Sequence, residues 1–326
     1  MQPRVSVVIP NWNGLKHLEE CFGALDAQTY RQFEAIFVDN ASSDASVEWV
    51  EKHHPETRVI RRSDNGGFSK AVNEGIRASH APYVVLLNND THAEEAWLEE
   101  LVGALEARPE YDFAASLMML YFEDDRVNAA GDTYDVALMA GRNRGAGRPS
   151  ARYSEPRRVL GACAGAALYR QTLFDDVGLF DEDFFLMSED TDINLRALIA
   201  GKKCLYVPGA VIRHKFRSSI DSEPPEQMAL LADRNEAMVF AKDMPWLLIA
   251  ASPLLWVYRM VRKTIPLRPS RWHLIPTLLR RLPKRMRAER EGFAMGWGKR
   301  GEVWKTRKAS TPVILRWMVK GSGPAG

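Results

Sequence analysis

Apolar and polar positions alternate in a regular way along the first third of this chain. Val5-Ser6-Val7-Val8-Ile9 is a β-branched apolar run stopped by Pro10, the mark of a buried strand. Over residues 15–28, Leu18, Cys21, Phe22 and Leu25 fall at helical spacing. Residues 34–38 predict a second strand ending at Asp39, and 43–54 a helix with polar residues at its start. Val59-Ile60 predicts a short third strand and 70–79 a helix. A fourth strand at 83–87, a helix at 94–107 and a fifth strand at 113–120 follow. This rhythm implies βαβ units, hence an α/β fold with a largely parallel sheet flanked by helices on both faces. Beyond it the pattern loosens. Residues 141–147 (Gly-Arg-Asn-Arg-Gly-Ala-Gly) predict a mobile loop, 159–169 a strand and 190–200 a helix. A further strand is expected over 204–211, interrupted by Pro208-Gly209.

Open α/β sheets bind ligands beyond the carboxyl ends of their strands. Strand one ends in Pro10-Asn11-Trp12-Asn13-Gly14, and strand two in Asp39-Asn40-Ala41-Ser42-Ser43-Asp44. Strand three ends in Asp64-Asn65-Gly66-Gly67-Phe68, and strand four in Asn88-Asn89-Asp90. Any one of these clusters is ordinary turn chemistry. Four in register converge on one crevice. No G-x-G-x-x-G follows the first strand and no G-x-x-x-x-G-K-[ST] occurs, which disfavours a dinucleotide dehydrogenase and a P-loop NTPase. A phosphate held here then needs another counter-charge, most simply a hard divalent cation on oxygen ligands.

The 326 residues are 46% hydrophobic and 26% charged, which excludes a disordered chain. Three dispersed cysteines (Cys21, Cys163, Cys204) exclude a disulfide scaffold and point to a reducing compartment. Met1-Gln2-Pro3-Arg4 leads straight into a strand, so no secretory leader is expected. The net charge of +2 conceals a division. From Arg259 onward there are 18 Lys/Arg and 3 Asp/Glu, and six of the nine tryptophans follow Pro245. Two regions are therefore expected, 1–220 and 221–326, with different partners.

The ordered motifs Val5–Asn13, Val38–Asp44, Asn65–Phe68 with Asn73, and Leu86–Asp90 resemble the family 2 glycosyltransferases of GT-A fold, in the rhamnosyltransferase-like branch. The resemblance continues through residues 161–168, 177–182, 188–192 and His214, and covers roughly 4–220. It implies an inverting hexosyltransferase that moves a sugar, L-rhamnose from dTDP-rhamnose first, from a dTDP- or UDP-linked donor to a lipid-linked or polysaccharide acceptor. By position, Asp39 would read the base, with Pro10, Asn13, Asn65, Asn73 and Asn89 around the donor. Asp90 and His214 would hold a divalent metal, Mg2+ or Mn2+. Asn88 stands where the family's metal motif has its first acid, which lowers the charge of that site. Asp190 would be the general base, taking the proton of the attacking hydroxyl. Gly161 and Ala162 would lie near the acceptor, or serve close packing. Glu189 and Asp192 would position the acceptor, or cap a helix through its dipole. Trp12 is a stacking surface or a core residue.

Residues 245–258 form an apolar stretch too short to span a bilayer. Leu274, Ile275, Leu278, Leu279, Leu282 and Met286 then follow helical spacing among Arg280, Arg281, Lys284, Arg285 and Arg287, as in interfacial helices. Anionic lipid contributes about 1 kcal/mol per nearby basic residue. The expectation is a peripheral protein on the inner face of the cell membrane, in the cytoplasm. Nucleic acid is the rival anion and is disfavoured; a buried helix or a homo-oligomer contact is the alternative for 245–258. Two other classes remain beside the enzyme: a non-catalytic sugar-nucleotide- or glycan-binding subunit, and a sugar nucleotidyltransferase. Pro10–Gly14 lacks the basic signature expected of the latter.

Overall fold

The computed structural model describes residues 2–215, 225–265, 272, 275–320 and 322–324. Its first part runs β1 (Val5–Asn11), α1 (Leu15–Asp26), β2 (Phe33–Asp39), α2 (Ser46–His53), β3 (Arg58–Arg61), α3 (Gly67–Ala78) and β4 (Tyr83–Leu87). β1 pairs in parallel with β2 on one side and β4 on the other, and β3 lies beyond β2. The chain thus builds outward from β1, then crosses to its far side. Such a reversal opens a crevice at the carboxyl ends of β1 and β4. β-Strand alternation buries both faces. Val5, Val7 and Ile9 join the cluster containing Leu18, Phe22 and Leu25 of α1, whereas Val8 joins Ala71, Val72 and Ile76 of α3.

The chain continues through β5 (Thr91–Ala93), α4 (Trp97–Ala107), β6 (Phe113–Leu120), β7 (Val127–Ala130), β8 (Asp132–Asp135) and β9 (Ala140–Asn143). It then forms β10 (Arg157–Val159), β11 (Ala166–Arg170), α5 (Gln171–Val177), α6 (Glu189–Ile199) and β12 (Cys204–His214). The sheet is mixed, because β11 runs antiparallel between β4 and β6. The loop expected over 141–147 is in part a strand: β9 pairs with β8, and the Gly147 amide donates to the Val127 carbonyl at 2.8 Å. The strand expected over 159–169 is divided into β10 and β11 by a turn at 161–165. β12 does not stop at Pro208-Gly209 but absorbs them in a register shift against β6 between Val207 and Val211, and so reaches His214.

The last part comprises α7 (Pro225–Asp243), α8 (Trp246–Ala250), α9 (Ser252–Thr264), α10 (Ile275–Lys305), α11 (Thr311–Lys320) and β13 (Ser322–Pro324). The boundary expected near 220, and Leu274, lie outside the described residues. Beyond that boundary α7 does not stand apart. Met238, Val239 and Phe240 share one apolar cluster with Leu195, Leu198 and Ile199 of α6, and β13 pairs with β10. Among the described residues no helix is long and apolar enough to cross a membrane.

α9 is fixed to this body by charge. Arg259 is fully buried, donating to Glu289 at 2.8 Å, to Glu236 at 2.7 Å and to the Leu138 carbonyl at 2.6 Å. Breaking a buried pair from one side leaves an uncompensated charge and costs about 3–5 kcal/mol. Arg259→Met should therefore lower unfolding stability by about that much in urea titration, with Glu289 stranded; a loss under about 1 kcal/mol would show the network to be solvated.

Candidate active site

At the crevice the strand ends are tied to one another. The Asn89 amide donates to Asn11 Oδ1 at 2.6 Å, across the β1–β4 reversal. Asn11 in turn donates to Asp39 Oδ1 at 3.3 Å and to Ser42 Oγ at 3.1 Å. The Ser42 amide donates to Asp39 Oδ2 at 3.1 Å. Asp39 is thereby fixed at the mouth of β2, and each carboxylate oxygen retains a second lone pair for an outside donor. Asn13 is left-handed (φ 50°) and its Oδ1 accepts from the Ser43 amide at 2.7 Å, which locks the loop after Pro10. Asn65 accepts from Asn40 at 2.8 Å and from the Gly67 amide at 3.1 Å. Gly67 is also left-handed (φ 84°), and any Cβ there would collide with the Phe185 carbonyl. That carbonyl accepts from the Phe68 amide at 2.7 Å, so the glycine loop docks on the segment leading to α6.

The metal candidates meet. β12 and β5 are antiparallel with His214 opposite Thr91, so the end of β12 comes to lie beside Asp90. Asp90 Oδ1 is 3.2 Å from His214 Nε2, and both residues are buried. His214 Nδ1 contacts Asn128 Oδ1 at 2.9 Å. An amide oxygen only accepts, so Nδ1 donates to Asn128 and Nε2 is the nitrogen that faces the carboxylate. Two electron-rich atoms this close need a proton or a cation between them. One carboxylate and one imidazole oriented by an outer hydrogen bond suit a divalent ion such as Mn2+. Among the described residues no group of three or more His, Cys, Asp or Glu is arranged for a metal, so further ligands would come from diphosphate and water. His17, which the sequence pattern did not single out, lies near this pair. Both its ring nitrogens are buried without a partner, and burial first, then Lys215, lowers its pKa.

Asp190 sits at the start of α6. Met187 and Ser188 are both left-handed (φ 70° each), an unfavourable backbone for side chains of this kind, and together they turn the helix start into the crevice. Asp190 Oδ1 accepts from the Thr191 amide at 2.7 Å, and the Ala164 backbone also bonds it. The next residue, Gly165, accepts from the Asn88 amide at 2.9 Å. Two backbone links thus join Asp190 to the turn carrying Asp90. Burial raises the pKa of Asp190, opposed by the Thr191 and Ala164 bonds. Asp132, a buried acid overlooked in the sequence, has its pKa raised strongly by burial and then by Asp190, and its Oδ1 has no partner.

Four expected site residues have other tasks. Asn73 donates to the Phe180 carbonyl at 2.8 Å and to Glu182 at 3.0 Å, while its Oδ1 accepts from the Phe180 amide at 3.0 Å. It clamps the loop before α6, and its buried amide has no donor left for a nucleotide. Asp192 is fully buried, with its oxygens taken by Arg196 at 2.8 Å and Lys242 at 2.7 Å. Residues two apart on a helix point to different sides, so Asp192 leaves the crevice that Asp190 enters. Gly161 and Ala162 are buried against Asn194, whose side chain bonds both the amide and the carbonyl of Ala162 at 3.1 and 3.0 Å. A Cβ on Gly161 would strike Asn194, so the packing alternative describes these two residues.

Glu189 is buried with Oε2 unpartnered, and burial, then the charge of Asp190, pushes its pKa up to about 8. Between 4.5, its ordinary value, and about 8 the folded protein holds a proton that the unfolded chain has released. Raising pH through that window therefore favours unfolding. Glu189→Gln cannot ionise. Its Tm advantage over wild type should be small at pH 5 and should widen by pH 8; a pH-independent difference would show Glu189 to ionise at its ordinary value when folded.

A family model for glycosyl transferase family 2 matches residues 6–178, more than half of the chain. The chain is 26% identical over 285 residues to the N-acetylglucosaminyl-diphospho-decaprenol L-rhamnosyltransferase of Mycobacterium tuberculosis, covering 78% of this chain and 88% of that protein. It is 30% identical over 205 residues to glycosyltransferase EpsJ of Bacillus subtilis, 60% of this chain, and spans only 56% of that relative. Among solved structures, GalNAc-T7 with UDP, GalNAc and Mn2+ superposes with a TM-score of 0.57 at 18% identity, over 73% of this chain and 50% of that one. The architecture is GT-A-like, a mixed sheet flanked by helices. By its matched motifs and its crevice, the chain belongs to glycosyl transferase family 2.

Proposed function

We propose that this protein is an inverting, metal-dependent glycosyltransferase. It moves a sugar, L-rhamnose from dTDP-rhamnose as the first candidate, from a nucleotide diphosphate to a lipid-linked glycan at a membrane surface. The observation that carries the reading is the convergence of Asp190 and the Asp90–His214 pair on one rim, linked through Ala164, Gly165 and Asn88. The name of the mycobacterial relative supports rhamnose and a lipid-borne acceptor.

Asp39 accepts a hydrogen bond from the imide N–H of uracil or thymine, with Pro10, Asn13, Asn65 and Asn89 shaping the donor pocket. The acceptor hydroxyl donates to Asp190, which takes its proton as the oxygen attacks the anomeric carbon. Attack opposite the departing diphosphate inverts the configuration, and a single carboxylate base suffices because the leaving group is good. Asp90 and His214 would hold a divalent ion, which would supply charge neutralisation to that diphosphate. Burial raises the pKa of Asp190, which makes it a stronger base than an exposed aspartate and moves the acid limb of activity upward. Glu189, protonated at neutral pH, withholds a second negative charge from its neighbour.

Asp190→Asn should lower transfer about 10²–10⁴-fold, measured as nucleoside diphosphate released from dTDP-rhamnose with Mn2+ and a lipid-linked acceptor, while donor affinity stays near wild type. Near-normal turnover would remove Asp190 as base. Metal-dependent donor binding with no release by the intact protein would instead favour a binding subunit.

A further inference from the structure

α9 is built inside out. A helix on a protein surface ordinarily turns its apolar stripe inward and its charges to water. Here the inward face carries Arg259, fully buried on Glu236 and Glu289, and Lys263, which donates to Asp233 and Glu236 at 2.5 and 2.8 Å. The outward face carries Leu254, Val257, Tyr258 and Val261, at helical spacing and all exposed, Leu254 at 78%, and exposed Ile265 follows just past its end. α8 extends the stripe with Trp246, 63% exposed. From 245 to 258 the sequence holds no Asp, Glu, Lys or Arg.

Such a face needs an apolar covering. Its surroundings say which. Arg280, Arg287 and Arg290 of α10 are exposed, and among the described residues no acid pairs with them. Trp297 of α10, also exposed, meets Trp246 edge-on at 5.6 Å. Tryptophan and arginine at the border of an apolar stripe suit the headgroup level of a bilayer. A second copy of this chain would bring two strongly basic regions face to face, and like charges oppose that contact.

We propose that α8 and α9 dock the protein flat on an anionic bilayer, their apolar stripe in the headgroup–acyl boundary and the α10 arginines on lipid phosphates. The surface stands on these helices; only its purpose, meeting a lipid-linked acceptor, rests on the transfer reading. Docking would also reach the active site. α9 is clamped to α7 at Asp233 and Glu236, and Asn235 between them donates to the Leu186 and Met187 carbonyls at 2.9 and 2.7 Å, immediately before α6.

The test is co-sedimentation of the full chain with phosphatidylcholine vesicles, with and without about one third phosphatidylglycerol. Wild type should pellet with the anionic vesicles. Leu254→Asp/Val261→Asp, at exposed positions, should lose about tenfold or more of that partitioning while keeping its melting temperature and its transfer to a soluble acceptor. Wild type should also lose tryptophan fluorescence on vesicles with brominated acyl chains, a readout that needs no variant. Wild type remaining in the supernatant, pelleting equally on neutral lipid, or forming a dimer that the double variant abolishes would each overturn the docking surface. None of these would touch transfer to a soluble acceptor, whereas loss of that transfer with vesicle binding intact would count against the enzymatic reading alone.

Discussion

The geometry of the site depends on how the start of α6 is held. Two consecutive left-handed residues, Met187 and Ser188, are an unfavourable way to enter a helix, and they persist only where the surroundings compel them. Asn235 does so by spending both its amide hydrogens on the carbonyls of Leu186 and Met187. Lys242, one end of the same helix α7, pairs with Asp192 on the far side of α6 and with Asp181 in the loop before it. Asn73 grips that loop from α3. The proposed base, Asp190, is thus aimed by residues of α3 and α7 that hold the segment before it.

The acids around α6 fall into two electrostatic classes set by their partners. Asp181 and Asp192 face lysine and arginine; for Asp181, burial works against ionisation but Lys242 and Lys299 outweigh it and hold its pKa down to about 2. Asp132, Glu189 and Asp190 face one another with few donors, and burial raises all three. One sequence cluster, Glu189–Asp192, therefore supplies both a fastening and the proposed proton acceptor. Helical geometry makes the division, since successive residues lie about 100° apart around the axis.

The C-terminal helices connect this fastening to the surface. α7 contributes apolar residues to the cluster around α6 and acids to the buried face of α9. Two basic residues of α9, Arg259 and Lys263, are consumed inside. What remains outside is apolar, with arginine at its border. A single helix, α7, thus has the turn before Asp190 on one side and the proposed docking surface on the other.

Much of this was legible in the amino-acid order. Strand and helix periodicity identified the β1–β4 block, because alternation of period two and apolar spacing of 3.6 are local properties. The polar clusters at the strand ends located the crevice, since parallel strands must all end on the same edge. Asp90 and His214 were recognisable as motif members, 124 positions apart, but only the antiparallel pairing of β12 with β5 set them in contact. Other assignments lay beyond sequence order. Asn73, Asp192, Gly161 and Ala162 carry the expected residue types, yet their hydrogen bonds and packing partners come from segments far along the chain. Asp132 and His17 had no motif to mark them. Nor does a hydropathy pattern say which side of an amphipathic helix faces inward: Arg259 is buried because Glu236 and Glu289 wait there, and long-range packing alone places them.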